Sequence, residues 1–132
     1  MPSVGRDRLV SAPYRYFEAV DRKDLDASVA FFAPDATFTI QTAGVKFSGQ
    51  EEIAGMFRGF FASYSTICHC ITSIVVDARA AKTATEQHCP HVKNDGSLDT
   101  LTTCNFFGFA PDGRFRRVVI WLDGHNPLTG EP

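Results

Sequence analysis

The side chains of this sequence best suited to moving a proton at neutral pH are two histidines, His69 and His91, and one aspartate, Asp21. An imidazole titrates near 6.5, so it can take up or release a proton where most side chains stay in one form. A carboxylate beside it fixes its tautomer and steadies its charged form. An Asp–His pair facing a second histidine could remove a proton from carbon next to a carbonyl and return one to an oxygen.

Strand alternation decides whether such residues face one another. Along residues 79–92, a solvent-facing Lys82 sends Ala81, Thr83, Thr85, Gln87, Cys89 and His91 to the opposite face and turns Glu86 and His88 outward. In the preceding strand, His69 shares a face with Ile67, Ile71 and Ser73 and is assigned to the cavity. In the following one, Thr103, Asn105 and Phe107 lie together, with Cys104 and Phe106 on the other side. Polar groups gathered on one concave face need partners or a polar ligand, because burying each unpaired costs on the order of 1–3 kcal/mol. Asp21 falls where a first helix gives way to a second, so its carboxylate can reach the open end of the cavity, and it could also cap the second helix.

The elements around these residues follow from pattern. Residues 1–12 read as a flexible leader, residues 13–124 as one domain and residues 125–132 as a loose tail. A first helix starts at Pro13 and carries Tyr14, Tyr16, Phe17 and Val20, with Tyr16 able to lend a phenol to the pocket. A second spans Asp24 to Phe32 and is ended by Pro34. A strand over 36–41 and a short one at 45–47 precede a third helix, which opens at Ser48 or Gly49 and carries Ile53, Met56, Phe57 and Phe60. Four long strands follow over 65–76, 79–92, 99–110 and 114–123, with turns at Asp77–Arg79, Asn94–Gly96 and Pro111–Gly113. Helices first and a long antiparallel run afterwards predict an α+β fold: a cone-shaped, curved, antiparallel or mixed sheet over three helices of the N-terminal half.

Composition narrows the function. The 132 residues are 44% hydrophobic with twelve phenylalanines, which suits a core wrapped around an apolar cavity, and carry a formal charge of -2. That balance gives no field for nucleic acid, and the Arg114, Arg116 and Arg117 cluster reads as a solvated edge or a subunit contact. No stretch is apolar enough to span a membrane and no secretory pattern opens the chain, so Cys68, Cys70, Cys89 and Cys104 are expected to be free, buried thiols of a cytoplasmic protein. A zinc site from His69, Cys89, His91 and Cys104 is disfavoured because alternation turns Cys104 away. No metal or cofactor is expected, and a two-fold homodimer is the expected assembly.

The segment Tyr14-Arg-Tyr-Phe-Glu-Ala-Val-Asp-Arg-Lys-Asp-Leu-Asp26, followed by Phe31-Phe-Ala-Pro-Asp-Ala-Thr-Phe38, resembles the opening of the SnoaL-like, NTF2-like superfamily of cystatin-like cones. Within it the motifs are most similar to scytalone dehydratase-like proteins. That resemblance puts Asp21, His69 and His91 at the family's catalytic aspartate and histidines, and Thr103 and Asn105 at its substrate-contacting serine and asparagine. The family's two tyrosines are replaced here by Val20 and, near the second, Thr42. It implies a cofactor-independent lyase or isomerase, of dehydratase or cyclase type, acting on a small hydrophobic polyketide- or terpenoid-like intermediate of secondary metabolism. His91, oriented by Asp21, would be the general base and His69 would serve the oxygen. Thr103 and Asn105 would position the substrate, with Tyr16, Phe57 and Phe107 around it. A non-catalytic binding or dimerisation module and an epoxide hydrolase are the alternatives. The binding module would be favoured by an Asp21 and His91 too far apart to share a hydrogen bond.

Overall fold

A computed structural model describes residues 4–129. Three α-helices, α1 (Arg6–Asp21), α2 (Leu25–Ala30) and α3 (Gly49–Ser63), accompany seven strands: β1 (Phe32–Ile40), β2 (Val45–Ser48), β3 (Tyr64–Thr66), β4 (Cys70–Asp77), β5 (Lys82–Lys93), β6 (Leu98–Phe109) and β7 (Phe115–Leu122). The sheet runs β2-β1-β7-β6-β5-β3, and β4 also pairs with β5. All pairs are antiparallel except β1 with β7. The α+β architecture is therefore the expected one, with a mixed sheet.

The first helix corrects two expectations. It begins at Arg6, so residues 6–12 are helical and not a leader; residues 1–3 lie outside the described residues. Leu9 and Ala12 are buried in the core, and the Arg8 guanidinium donates to the Gly113 carbonyl at 2.9 Å, which holds this end in place. Pro13 consequently sits in the helix interior rather than its first turn. Having no N–H, it leaves the Leu9 carbonyl without its usual helical donor. The Thr83 hydroxyl from β5 fills that gap at 2.7 Å. A missing helical hydrogen bond thus becomes a cross-link between the first helix and the middle of the sheet.

α1 ends in a Schellman turn: Lys23 adopts φ 58, its N–H reaches the Val20 carbonyl, and the Asp24 N–H reaches that of Ala19. Asp24 then caps α2 through its side chain, accepting from the Ala27 N–H at 3.0 Å, so Asp21 is not the cap. The second helix is shorter than expected. Pro34 lies inside β1, at a register irregularity between Phe32 and Thr37 where the strand does not need its N–H. β5 and β6 obey the expected alternation, with Thr83, Thr85, Gln87, Cys89 and His91 buried and Lys82, Glu86 and His88 exposed. The buried face packs with α1 and α3 around Tyr16, Phe57, Phe107 and Phe115.

The expected strand over 65–76 is two strands. β3 and β4 both pair with β5, and residues 67–69 between them pair with neither. The end of the chain also differs from expectation. Residues 125–129 pack against the fold, with Asn126 buried, while residues 130–132 lie outside the described residues.

Candidate functional site

The unpaired stretch at 67–69 is what builds the site. Freed from the sheet, its backbone N–H groups turn to side chains: Cys68 donates to His91 Nδ1 at 3.1 Å, and His69 donates to Asp21 Oδ2 at 3.0 Å. The other oxygen of Asp21, Oδ1, accepts from His69 Nδ1 at 2.6 Å. Asp21 and Phe17 are one turn apart on α1. Phe17 stacks on the His69 ring with centroids 4.5 Å apart while Asp21 grips its edge. His69 is only 12% exposed and Asp21 26%.

His91 comes from β5 and is buried between Phe60 and Tyr64, whose rings meet it edge-on at 5.6 and 5.5 Å. The two imidazoles lie 5.1 Å apart. Burial, reinforced by the neighbouring His69 and only partly offset by Asp21 and Asp99, pushes His91 down to about 4. His91 is therefore neutral at physiological pH. Because its Nδ1 accepts the Cys68 N–H, its proton is on Nε2. His69 donates through Nδ1, so in its neutral form the lone pair is on Nε2.

Asp21 and His91 share no hydrogen bond among the described residues. The expected pairing is thereby corrected: the aspartate belongs to His69, because the break after β3 brings the His69 backbone and ring together onto α1.

Both histidines line a narrow cavity of about 30 Å³, with Thr103 and Asn105 on its β6 wall. Tyr16, Phe57 and Phe60 add apolar bulk. Burial pushes the Tyr16 phenol upward, with the Asp21 charge adding to it, so it stays protonated. Phe107 does not line this cavity. It packs against Phe115 and Tyr16 in the core, centroids 4.8 and 5.9 Å away, because β6 carries it past the cavity into the aromatic cluster below.

Sequence reasoning placed Gln87 inward without giving it a role. Its Nε2 donates to Thr103 Oγ1 at 2.7 Å and Asn105 Oδ1 at 2.9 Å. Both acceptor atoms are thus engaged; Asn105 keeps its Nδ2–H groups for a ligand, while the Thr103 hydroxyl also lies 3.7 Å from Cys89 Sγ. Gln87 Oε1 and the Thr85 hydroxyl are buried with no hydrogen-bond partner among the described residues.

A second cluster was missed. Asp99 is buried on β6, accepts from the Tyr64 hydroxyl through Oδ2 and lies 2.7 Å from His125 Nε2 through the same oxygen. His125 pins the terminal segment, and Pro127 and Leu128 then border the cavity. Alternation along β6 could have turned Asp99 inward, whereas nothing periodic marks His125.

One ring nitrogen of each histidine and Cys89 Sγ lie within 4.8 Å of one another, so three of the four residues weighed for zinc do converge. Their hydrogen bonding does not suit a metal. His91 would have to move its proton to Nδ1, against the Cys68 N–H, and burial pushes the Cys89 thiol up to about 12. The other thiols are not uniformly buried as expected: Cys70 is exposed, and Cys68 and Cys104 are half-buried.

A family model described as SnoaL-like domain matches residues 14–118. No curated protein matches the sequence. Among solved structures, a protein of unknown function with a cystatin-like fold from Methylobium petroleophilum PM1 is similar at a TM-score of 0.77 and 21% identity, covering 95% of this chain and 82% of its own. A protein described as a SnoaL-like polyketide cyclase from Shewanella denitrificans OS-217 gives 0.79 at 14% identity, covering 89% and 92%. One described as a polyketide cyclase from Xanthomonas campestris pv. campestris gives 0.75 at 23% identity, covering 88% and 90%. At these identities the likeness is one of fold.

Proposed function

The chain belongs to the SnoaL-like domain family, and on that premise we propose that it is a cofactor-independent acid/base enzyme, a lyase or isomerase of dehydratase or cyclase type, acting on a small apolar carbonyl compound such as a polyketide- or terpenoid-like intermediate. One observation carries this reading. The Asp21–His69 and Cys68–His91 hydrogen bonds set opposite tautomers in two neighbouring imidazoles, one offering a lone pair and the other an N–H.

In this reading His69 Nε2 takes the proton from carbon next to the carbonyl, and Asp21 steadies the imidazolium that forms. The C–H electron pair moves toward the carbonyl oxygen, which becomes an enolate. His91 Nε2–H, the Thr103 hydroxyl and the Asn105 amide are its donors. A neutral imidazole is a fitting electrophile here because it polarises oxygen without adding a charge beside His69. The His69 proton then returns to a departing hydroxyl, to another carbon or to a closing ring. The roles of the two histidines are exchanged relative to the reading from sequence.

The test is exchange of α-hydrogens for deuterium in a panel of enolisable cyclic ketones, followed by NMR. The wild type should exchange them, and Asp21→Asn and His69→Gln should each slow exchange about 10²- to 10⁴-fold. No exchange by the wild type, or an unaffected Asp21→Asn, refutes the reading. A ligand-binding module without turnover is the second reading, favoured by the narrow cavity and the unmade Asp21–His91 bond; binding without exchange would establish it.

The same reading makes the protein a cytoplasmic homodimer. Phe106 and Trp121, 47% and 46% exposed on the outer face of the sheet, would be buried between two copies. Sedimentation of the wild type against Phe106→Asp tests this: a monomeric wild type refutes it. Among the described residues no helix is long and apolar enough to cross a membrane.

A further inference from the structure

The Cys68 and Cys70 sulfurs lie 3.7 Å apart on either side of His69. Cys70 is exposed and Cys68 half-buried, so a small reagent can reach the first and the second stands ready behind it. The two differ in how firmly they are held. Cys70 is anchored in β4 opposite His88, whereas Cys68 is outside any strand.

We propose that Cys68 and Cys70 are a redox-active pair which a low-molecular-weight disulfide converts to an intramolecular disulfide, and that closing this bond disturbs both histidines of the cavity. A disulfide needs its sulfurs about 2.05 Å apart, so they must approach by more than about 1.5 Å. With Cys70 held by its ladder, that movement falls on Cys68 and on the peptide leading into His69. Those are the units whose N–H groups bind His91 Nδ1 at 3.1 Å and Asp21 Oδ2 at 3.0 Å. The hydrogen bonds that set the two tautomers are therefore the ones placed under strain.

The exchange balances as two displacements. The Cys70 thiolate attacks the small disulfide and expels one thiolate, leaving a mixed disulfide. The Cys68 thiolate then attacks the Cys70 sulfur and expels the second. Two electrons pass from the protein to the reagent, one S–S bond is broken and one formed, and the two cysteine protons end on the two released thiols. Burial and the neighbouring Cys70 push Cys68 up to about 11, which gives the first attack to Cys70 and makes the second step the slow one.

The experiment equilibrates the full chain with glutathione disulfide and glutathione at varied ratios, maps linkages by peptide mass spectrometry and follows the imidazole nitrogens by NMR. The expected product links Cys68 to Cys70, reverts with excess glutathione and shifts the His69 and His91 ring signals. Cys70→Ser should abolish it and Cys104→Ser should leave it unchanged, both folded by circular dichroism. A chain that stops at a mixed disulfide on Cys70, that links Cys68 to Cys89 instead, or that forms the expected bond with both histidine signals unmoved overturns the proposal. The readout needs no substrate, so its failure and a failure of the proposed catalysis are separate results.

Discussion

Acidification should destabilise this protein through His91 in a way that one substitution can isolate. In the unfolded chain this histidine titrates near 6.5, whereas in the fold it is held down to about 4. Between those values the unfolded chain binds a proton that the folded one refuses, so stability rises with pH there. The contribution is complete above about 6.5, shrinks as pH falls and is gone below about 4. At roughly 1.4 kcal/mol per pH unit it amounts to about 3 kcal/mol in all, with about 2 kcal/mol lost on going from pH 7 to 4.5.

His91→Asn is the control, because an asparagine Oδ1 can take the place of Nδ1 and accept the Cys68 N–H without titrating. Urea unfolding of both proteins at pH 7 and 4.5 gives the comparison, and pH effects arising elsewhere in the chain are common to the pair. The wild type should lose about 2 kcal/mol more than the variant. Parallel losses, or a His91 ring signal that titrates near 6.5 in the folded protein, would refute both the burial argument and the assignment of His91 as a neutral donor.

Other substitutions probe the frame. Thr83→Val leaves the Leu9 carbonyl without a donor and should cost about 1–3 kcal/mol in urea unfolding, whereas an exposed Thr→Val change should cost little. Asp24→Ala removes the side-chain cap of α2 and should cost about 1 kcal/mol, read as a lowered thermal midpoint. Phe57→Ala opens space in the aromatic core and should cost about 3–5 kcal/mol by the same measurement.

Much of this architecture was legible because β5 and β6 keep strict alternation without a bulge between Lys82 and Phe107. Thr83 to His91 and Thr103 to Phe107 could therefore be sorted by parity alone. The His69 environment was not legible. A run from 65 to 76 that is apolar on both sides gives no sign of a break, and the break is decided by side chains far away, Asp21 and His91, that reward its free N–H groups. Nor does periodicity tell which histidine takes the aspartate, since that depends on the crossing of α1 over the break. Pro13 misled for a related reason: a proline usually marks a helix start, and only the Thr83 hydroxyl makes an interior position tolerable.

That hydroxyl has a consequence for the order in which the molecule is made. α1 leaves the ribosome before β5, and the donor for its Leu9 carbonyl is 74 positions downstream. Until β5 has been synthesised, the helix carries an open carbonyl in its middle and an apolar stripe of Tyr16, Phe17 and Val20 with no sheet to cover it. The native α1 of this chain is thus completed by a strand that is made well after it. Its first helix is secured only after the strands that hold the cavity have been made, so nascent chains ending before β5 will present that stripe to chaperones instead of to a core.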